Sequence, residues 1–469
     1  METKLTRTLV GETLQKIGQT VRLFGWVQTV RTHGKIVFFD LRDRTGIIQT
    51  VIFPKNADFE LAKGVRSEWV VEIVGKINER PANMVNDKIA TGKVELAIEK
   101  LAVLAKAQTL PISIEGDGYE ISEEHRLKFR YLDLRRERLH KNLVIRHKVI
   151  NFMRQFLTNE GFVEVETPML IKSTPEGARE FLVPSRLEPG NFYALPQSPQ
   201  QFKQLLMVSG IERYFQIARC MRDEDPRADR QAEHTQLDME MSFMSQDEIL
   251  ELTERLYIQI IKTIFPEKTI TQIPFPRLTW QEAQDKYGSD KPDLRKDKND
   301  PNEIALAFVL DFPMFEWLPG DKKWKAMHHP FTMPQSSDIN ELKANTGTVL
   351  GYQYDLVANG YELGSGSIRN TDMELFAAVC EIVGVPEVEA RQKFSHYFEA
   401  FSYGVPPHGG MAPGIDRFLA VVLNEPNIRE VIAFPKTGDN KDLMLGAPSP
   451  VSQQQLSELH LKIEKPKNS

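Results

Sequence analysis

The apolar positions change their spacing along the chain and divide it into two regions. From Val21 to about Ala105, short segments rich in β-branched and aromatic residues are separated by Gly, Asp, Asn and Pro. Five short strands of this kind are typical of a small closed β-barrel. The predicted strands are Val21–Val30, Lys35–Leu41, Ile47–Phe53, Trp69–Ile77 and Val94–Leu101.

The second region mixes helices and strands. Apolar residues recur at helical spacing between Ile145 and Phe156, which predicts an amphipathic helix over Leu143–Asn159. The mixed order indicates an α+β domain rather than a doubly wound parallel sheet. The other predicted strands are Phe162–Glu166, Tyr214–Cys220, Thr235–Phe243, Thr348–Ala358 and Gly410–Asp416, and the other predicted helices are Gln246–Phe265, Met373–Val383, Val385–Gly404 and Asp416–Leu423.

A polar and acidic stretch that begins near Leu110 separates the two regions and contains proline and glycine. Such a stretch is typical of a linker between domains. We therefore predict a barrel domain over residues 1–108, a hinge over residues 109–125 and a larger domain over residues 126–469.

Composition narrows the class of protein. With 469 residues, of which 41% are hydrophobic and 26% charged, the chain is long enough for two or three packed domains. Its formal net charge of -6 gives no global attraction to nucleic acid, so an RNA partner needs a local basic surface. The distant Cys220 and Cys380 predict neither a disulfide framework nor a zinc site. The charged start and the lack of a long apolar run predict a cytoplasmic protein with no membrane partner.

Three segments of the larger domain carry residues suited to chemistry. The first, Gly161–Pro168, leads from a helix into a strand and is by itself ordinary core structure. In the second, Phe215–Asp225, Arg222 stands at the exposed end of a strand, where its guanidinium can bind a phosphate in bidentate fashion. Glu224 shares that face and can accept from an adenine amino group. A salt-bridge cluster on a hairpin loop is the alternative.

The third segment, Gly409–Arg417, is a glycine-rich strand that runs into a helix opening at Asp416. Glycines let a nucleotide lie close to the backbone, and a helix N-terminus favours anionic groups. Arg417 in the first turn can reach a phosphate or stack on a base. A tight strand–helix turn is the alternative.

Together the three segments resemble, in order and separation, the signature motifs of the class II aminoacyl-tRNA synthetases. Neighbouring stretches narrow the resemblance to the aspartyl-tRNA synthetases of that class. These stretches are Tyr131-Leu132-Asp133-Leu134-Arg135, Thr174-Pro175-Glu176-Gly177-Ala178-Arg179, Gln197-Ser198-Pro199-Gln200 with Lys203, Arg222-Asp223-Glu224-Asp225, Met327-His328-His329-Pro330 and Ile432-Ala433-Phe434-Pro435-Lys436.

The resemblance covers nearly the whole chain. It implies an OB-type barrel that binds the tRNA anticodon, followed by a catalytic domain with a mainly antiparallel sheet flanked by helices. It implies activation of L-aspartate with ATP and transfer to the 3′ end of tRNA(Asp), in a homodimer formed through the first segment. Because the aspartate carboxylate attacks the α-phosphorus directly, catalysis needs positioning and charge stabilisation but no protein nucleophile.

For ATP, the resemblance implies catalytic roles for Arg222, Glu362 and Arg417. It implies Mg²⁺ held by Asp355 and Glu362, since hard oxygen ligands suit a metal that bridges phosphates. His234 stands where relatives often have a phenylalanine that stacks on adenine, so we expect weaker ATP binding. The residues expected to bind ATP are Arg222, Asp223, Glu224, Gln231, His234, Glu362, Gly414, Ile415, Asp416 and Arg417.

A pocket for aspartate needs cations, and the resemblance places Lys203 and Arg369 against the side-chain carboxylate. It gives the ammonium group to Glu176 and Asp238, and it puts the pair His328-His329 in a loop over the amino acid. A lone lysine is usually a solvated surface charge, so Lys203 depends on its sequence context. The residues expected to bind aspartate are Glu176, Ser198, Gln200, Lys203, Arg222, Gln236, Asp238, His328 and Arg369.

In the barrel, the resemblance implies that Phe38 stacks on an anticodon base, at roughly 1–3 kcal/mol per base. Phe38 and Phe39 alternate faces in a strand, so one of the two can be core. His33-Gly34 resembles the version found in enzymes that also charge tRNA(Asn), a hypothesis that rests on one residue. The residues expected at the anticodon are Arg31, His33, Phe38, Gln49, Arg80 and Glu95.

The chain departs from the bacterial members by lacking their large insertion domain, expected near residues 296–303, where only the polar loop Lys291–Asn302 stands. The loss is either natural or engineered, and the insertion's contacts with tRNA are in doubt. Two alternatives stay open. An asparagine-specific relative would lack the charges of Lys203 and Arg369. A catalytically dead paralogue is disfavoured by the intact motif arginines and Glu362.

Overall fold

The computed structural model describes residues 5–173 and 178–464. The chain divides into two compact units, Met1–Ser113 and Ile114–Ser469. The division lies inside the segment that we predicted as a hinge, and residues 114–125 belong to the second unit. The bounds of a hinge at residues 109–125 stay a prediction.

The first unit is a closed five-stranded barrel, as the spacing of apolar residues predicted. Its strands bury alternate side chains, among them Leu23, Phe39 and Ile73, which form one core. A Cβ atom on Gly75 would overlap the Ala97 carbonyl oxygen, which explains a glycine at this bulged strand pair. The elements are β1 (Thr20–His33), β2 (Ile36–Asp43), β3 (Gly46–Ile52), α1 (Phe59–Gly64), β4 (Val70–Glu79) and β5 (Val94–Ala105), with 3-10 helices at Val10–Gln15 and Ala82–Met84.

The second unit is the predicted α+β domain. Its strands are β6 (Val163–Glu164), β7 (Leu182–Pro184), β8 (Phe192–Ala194), β9 (Arg213–Met221), β10 (Glu233–Ser242), β11 (Thr269–Ile270), β12 (Arg277–Thr279), β13 (Glu303–Ile304), β14 (Leu306–Leu310), β15 (Phe315–Leu318), β16 (Lys323–Ala326), β17 (Gln353–Ala358), β18 (Tyr361–Ile368) and β19 (His408–Pro413). Its helices are α2 (Glu123–Lys128), α3 (Arg130–Asp133), α4 (Glu137–Asn159), α5 (Gln200–Val208), α6 (Gln246–Ile264), α7 (Trp280–Tyr287), α8 (Ile339–Ala344), α9 (Met373–Ile382), α10 (Glu387–Lys393), α11 (Ser395–Ser402), α12 (Ile415–Val422) and α13 (Gln453–Glu458), with a 3-10 helix at Ile428–Val431.

An eight-stranded sheet in the order β12-β14-β17-β18-β19-β10-β9-β6 forms the centre of this unit. Its inner pairs are antiparallel, and only the outermost pairs, β12 with β14 and β6 with β9, are parallel. Helices α4, α6 and α12 share one apolar core with Leu237, Met239 and Met241 of β10. The even-numbered residues of β10 therefore point to the opposite face of the sheet.

Three of the differences from the sequence prediction concern helix α4, the helix predicted over Val385–Gly404, and strand β18. Helix α4 begins at Glu137 rather than at Leu143, because Leu139 and Asn142 of the added turns are buried. The helix predicted over Val385–Gly404 is two helices, α10 and α11, which are separated at the buried, non-helical Phe394. Strand β18 was not predicted.

Across the described ranges, 5–173 and 178–464, no helix combines the length and the apolar character that a bilayer crossing requires.

Candidate functional site

A cavity lies on the face of the sheet opposite the helical core. The predicted site residues that line it are Ser198, Gln200, Lys203, Arg222, Gln231, His234, Gln236, Asp238, His328, Glu362, Arg369, Gly414, Asp416 and Arg417. It is also lined by residues outside the predicted set, among them Asp229, Arg230, Thr235, His329, Gly364, Ser365 and Ala412. The structure thus brings most of the residues predicted for ATP and for aspartate into one cavity.

The β9–β10 hairpin places most of these groups. Arg222 follows directly after β9, and its backbone N–H donates to the Ala232 carbonyl at 2.8 Å, which closes the loop between the strands. On β10, Gln236 and Asp238 alternate with the core residues Leu237 and Met239. This period of two is the reason why one strand serves both the core and the cavity.

Four charged side chains form a buried cluster on one side of the cavity. The Lys203 ammonium lies 2.6 Å from Asp238 Oδ1 and 3.2 Å from Glu240 Oε2. Arg369 donates through Nε and Nη2 to the two oxygens of Glu240, at 2.8 and 3.0 Å. Each of the four is at most 2% exposed. The two predicted cations are therefore buried and matched by two carboxylates.

Glu240 is a functional candidate that the sequence prediction missed. Burial opposes its ionisation, but the charges of Arg369 and Lys203 and the hydrogen bonds from Arg369 outweigh burial and lower its pKa to about 2. The signal was present in the sequence, because Glu240 continues the even-numbered face of β10 after Gln236 and Asp238.

Asp238 lies at the cavity, but both of its oxygens are engaged. Oδ1 accepts from Lys203 and Oδ2 accepts from Gln236 Nε2 at 2.7 Å. Its predicted contact with the substrate ammonium would therefore add to these bonds or replace one of them. Glu176, the other predicted ammonium ligand, lies outside the described residues.

His329 adjoins the Arg369 guanidinium, whose Nη1 donates to His329 Nε2 at 3.2 Å and to Ser367 Oγ at 2.7 Å. Burial, followed by the charges of His328, Arg369 and Lys203, lowers the pKa of His329 well below 6.5. The neutral ring can accept from the guanidinium. The two histidine rings pack 4.8 Å apart, and His328 lines the cavity.

The motif arginines carry donors with no partner in the described part of the chain. These are the buried Nε atoms of Arg222 and Arg417, and the buried amide Nε2 of Gln200 shares this property. A buried unpaired donor is costly unless a ligand satisfies it, so these atoms fit anion or acceptor groups of a bound molecule. Arg417 also donates through Nη1 to the backbone oxygen of Glu362.

The other residues predicted for ATP divide into those that line the cavity and those that do not. Gln231 exchanges hydrogen bonds with the Lys436 backbone at 2.9 and 3.1 Å, and Asp416 accepts from Thr235 N at 2.8 Å. Asp223, Glu224 and Ile415 do not line the cavity.

Glu224 pairs instead with Arg230 at 2.6 Å, and Arg230 itself lines the cavity. The Ile415 side chain is fully buried in the helical core, and a contact between Ile415 and ATP stays a prediction.

His234 lies opposite Cys220 on the hairpin and lines the cavity. Burial, followed by the charges of Arg222 and Arg417, lowers its pKa to about 3. The ring is therefore neutral near pH 7 and offers an uncharged face for stacking.

The two predicted metal ligands lie on neighbouring strands, Asp355 on β17 and Glu362 on β18. Burial, followed by the charge of Glu362, raises the pKa of Asp355 well above 3.8. A buried acid whose ionisation is opposed by burial and by a neighbouring carboxylate fits a cation, which relieves both effects. Within residues 5–173 and 178–464 no group of three or more His, Cys, Asp or Glu side chains could hold a metal. Other oxygens would have to complete the coordination.

The predicted anticodon residues gather on one part of the barrel. Arg31 forms two bonds with Asp40, at 2.7 and 2.8 Å, and reaches Gln49 Oε1 at 3.3 Å. Gln49 in turn donates to Glu95 Oε2 at 2.9 Å, and Arg80 Nη2 lies 3.5 Å from Gln49 Oε1. Asp40 is a member of this network that the prediction missed.

Phe38 is half-buried and lies directly across from Arg31 on the paired strand, whereas Phe39 is fully buried. Of the two phenylalanines, Phe39 is thus the core residue. His33 is exposed where β1 ends at the turn through Gly34.

Comparison with known families agrees with this architecture. Residues 122–438 match the family "tRNA synthetases class II (D, K and N)", and residues 21–104 match the family "OB-fold nucleic acid binding domain". The chain belongs to the class II tRNA synthetases, enzymes that use ATP as a substrate.

Individual relatives show which family within this class the chain belongs to. The chain is 41% identical over 571 aligned positions to an aspartate--tRNA(Asp/Asn) ligase of Rubrobacter xylanophilus, with 95% of each chain covered. It is also 41% identical over 588 positions to the enzyme of the same name from Thermosynechococcus vestitus, with 97% of this chain and 96% of the relative covered. Within its class, the chain belongs to the family of aspartate--tRNA ligases.

These alignments are longer than the 469 residues of the chain, so the relatives contain segments that this chain lacks. In the structure, the polar loop after α7 leads directly to β13 with no domain between them.

Solved structures share the fold. An asparaginyl-tRNA synthetase from Pyrococcus horikoshii, complexed with asparaginyl-adenylate, superposes with a TM-score of 0.75 at 23% identity and covers 92% of this chain and 99% of its own. An aspartyl-tRNA synthetase from Entamoeba histolytica gives 0.72 at 23% identity, with 92% of each chain covered.

Proposed function

We propose that the protein activates L-aspartate with ATP and transfers the aspartyl group to the 3′ ends of tRNA(Asp) and tRNA(Asn). One observation carries this proposal: a single cavity contains the buried cations Lys203 and Arg369 together with the motif arginines Arg222 and Arg417. The relatives named for both tRNAs support the second tRNA substrate.

In the first step, an oxygen of the aspartate α-carboxylate attacks the α-phosphorus of ATP and pyrophosphate leaves. Arg222 would bind the α-phosphate and stabilise the charge that develops during attack, and its unpartnered Nε supports this role. Arg417 would bind the outer phosphate. His234 would stack on adenine, with Gln231, Glu224 and the backbone around Gly414 completing the ATP site.

The aspartate side chain would bind to Lys203 and Arg369. Lys203 has three donors, and two face Asp238 and Glu240, so the third can serve a substrate carboxylate. An asparagine side chain would present its NH₂ group to these same donors and leave them unpaired. Ser198, Gln200, Gln236 and His328 would complete the pocket, as the cavity lining supports.

Asp355 and Glu362 would hold Mg²⁺, with phosphate oxygens completing its shell. The metal would neutralise charge on the phosphates of ATP. Ser365 donates to Glu362 Oε1 at 3.1 Å, which would orient that carboxylate toward the ion.

In the second step, a hydroxyl of the terminal tRNA ribose attacks the aspartyl carbonyl carbon and AMP leaves. The barrel would select the tRNA: Phe38 would stack on an anticodon base, and the network of Arg31, Gln49, Arg80 and Glu95 would read neighbouring groups. Unpartnered donors on Arg80 support this role.

We also propose a homodimer formed through the first motif. Apolar side chains are exposed in this segment, Gly161–Pro168, and on either side of it, namely Val144 on α4, Val163 on β6, and Met169 and Leu170 beyond. Exposed apolar groups of this kind support a contact surface. Sedimentation of the protein and of Leu170→Glu tests this: a dimer that becomes a monomer is expected, and a monomeric wild type contradicts it. As a member of the translation machinery, the protein would act in the cytoplasm.

Pyrophosphate exchange and tRNA charging test the function. We expect exchange between pyrophosphate and ATP that depends on aspartate and not on asparagine, and aspartylation of transcripts of both tRNAs. Exchange with asparagine alone would identify an asparagine-specific enzyme. If neither amino acid supports exchange, the result would indicate a catalytically dead paralogue that binds RNA.

A further inference from the structure

The loop between β9 and β10 brings the carboxylate of Asp229 against Arg417. Arg417 Nη2 lies 3.4 Å from Asp229 Oδ2 and also 3.4 Å from the Asp229 backbone oxygen. Both residues line the cavity, and the side chains of Asp229 and Arg417 are 35% and 24% exposed, respectively. A carboxylate therefore forms an ion pair with the arginine to which we assign the outer phosphate, and the backbone oxygen of the same residue accepts from that arginine.

The rest of the Arg417 guanidinium is held by a different element. Nη1 donates to the Glu362 backbone oxygen and lies 4.0 Å from Glu362 Oε1. This anchor belongs to strand β18, so it fixes the guanidinium independently of the loop. Only the partner on the Nη2 side is a loop residue that can move away.

Two other acids of this loop are in ion pairs, and both have different partners. Glu224 pairs with Arg230 of the same loop at 2.6 Å, and Asp223 lies 4.0 Å from Arg179. Asp229 is thus the loop carboxylate that competes for a phosphate-binding arginine.

We propose that Asp229 is the resident counter-ion of Arg417 and that the outer phosphate of ATP replaces it, so that Asp229 sets the affinity of the site for ATP. A phosphate carries more charge than a carboxylate and forms the stronger bond with a guanidinium. A partly exposed ion pair is weak and exchanges readily. This inference rests on the proposed function, because it takes Arg417 as the ligand of the outer phosphate.

The matched variants are Asp229→Asn and Asp225→Asn. The second makes the same change in the same loop at an exposed residue. We would measure the KM for ATP in aspartate-dependent pyrophosphate exchange, and the binding of magnesium-ATP and of AMP by calorimetry. Asp229→Asn removes the competing charge, so its KM and Kd for ATP should fall about threefold to fivefold. AMP binding and the KM for aspartate should stay unchanged, and Asp225→Asn should match the wild type throughout.

Three results would overturn the proposal. Weaker ATP binding by Asp229→Asn would show that Asp229 helps to position Arg417. Equal changes for ATP and AMP would show an effect that does not involve the outer phosphate, and no change would show that Asp229 does not compete. A wild type without aspartate-dependent exchange would instead refute the proposed function, and the comparison of ATP with AMP binding would still test the contact.

Discussion

The charge balance around Lys203 and Arg369 limits how the proposed aspartate pocket can select a carboxylate. Asp238 and Glu240 carry two negative charges beside the two positive ones, and all four groups are buried. Burying the cations alone would cost several kcal/mol per ion, and the two acids offset this cost. Selectivity for a carboxylate then depends on where the remaining donors point and less on an excess of positive charge.

Replacing Arg369 with lysine tests whether selectivity for aspartate depends on the direction in which the donors point. The Arg369→Lys variant keeps the charge but loses the fork that binds both oxygens of Glu240. We expect kcat/KM for aspartate to fall about 10- to 100-fold, the equivalent of one charge-assisted hydrogen bond, with the KM for ATP nearly unchanged. Arg277→Lys, at an exposed pair with Asp247, is the control and should behave as wild type. A parallel rise in the KM for ATP would mean that the whole cavity had been distorted.

The role that we propose for Arg222 is separable from RNA binding. The Arg222→Ala variant removes charge stabilisation from adenylate formation, so we expect the exchange rate to fall on the order of 100- to 1,000-fold. Binding of tRNA should change little, as measured by filter binding. Arg219→Ala is a matched control, because Arg219 lies on β9, just before Arg222, but is exposed and paired with Glu233 at 2.8 Å. Equal losses in exchange and tRNA binding would show that we have misassigned Arg222.

At the scale of elements, the sequence predicts best where the burial pattern is regular. Strand β10 was predicted almost to its bounds, because its odd-numbered residues Leu237, Met239 and Met241 belong to the apolar core. Strand β18 was missed, because its centre is Gly364-Ser365-Gly366-Ser367, residues of low strand propensity. The close approach of its neighbours requires these glycines: a Cβ on Gly364 would overlap the Pro413 backbone. Pairing across the sheet thus decides an element that local sequence cannot show.

A buried ionic network links α2, α3 and α4 to the 3-10 helix at Ile428–Val431. Asp133 accepts from Arg126, Arg130 and Arg136, and Glu430 accepts from Arg126 and Arg138. Burial alone would raise the pKa of Glu430, but the hydrogen bonds and charges of Arg126 and Arg138 outweigh it and lower the pKa from 4.5 to about 2. Because the folded pKa is depressed, ionised Glu430 stabilises the fold above pH 4.5, and this contribution is lost as the pH falls toward 2.

The Glu430→Gln variant should therefore lose about 3 kcal/mol of unfolding free energy at pH 7, since it leaves buried arginines without a charged partner. The difference from wild type should narrow as the pH falls below 4.5, because protonation makes the wild-type side chain resemble glutamine. Urea unfolding at a series of pH values measures both effects. Glu389→Gln, at a surface pair with Lys393, should change stability by less than about 0.5 kcal/mol. A difference that does not vary with pH would contradict the ionic account.

At the scale of the whole molecule, we assign one task to each unit: the barrel selects the tRNA, and the α+β domain activates aspartate. The two tasks can be measured separately. The closed barrel and the α+β domain each contain their own apolar core. Periodicity was enough to predict both folds, whereas the residues that meet in the cavity come from segments as distant as Ser198 and Arg417. Their meeting follows from sheet order, which no local pattern specifies. The resemblance to a known family, and not a local pattern, predicted which residues meet in the cavity.

Phe38 offers a test that separates these tasks, because it is half-buried on the barrel while its neighbour Phe39 is fully buried in the barrel core. The Phe38→Ala variant should lose one stacked base, roughly 1–3 kcal/mol, so kcat/KM for tRNA should fall about 5- to 150-fold. Pyrophosphate exchange without tRNA should remain at the wild-type rate, because the cavity contains no barrel residue. Phe39→Ala should instead destabilise the barrel by about 3–5 kcal/mol, visible as an earlier unfolding transition. If Phe38→Ala lowers the unfolding temperature as much as Phe39→Ala does, Phe38 supports the barrel and does not contact RNA.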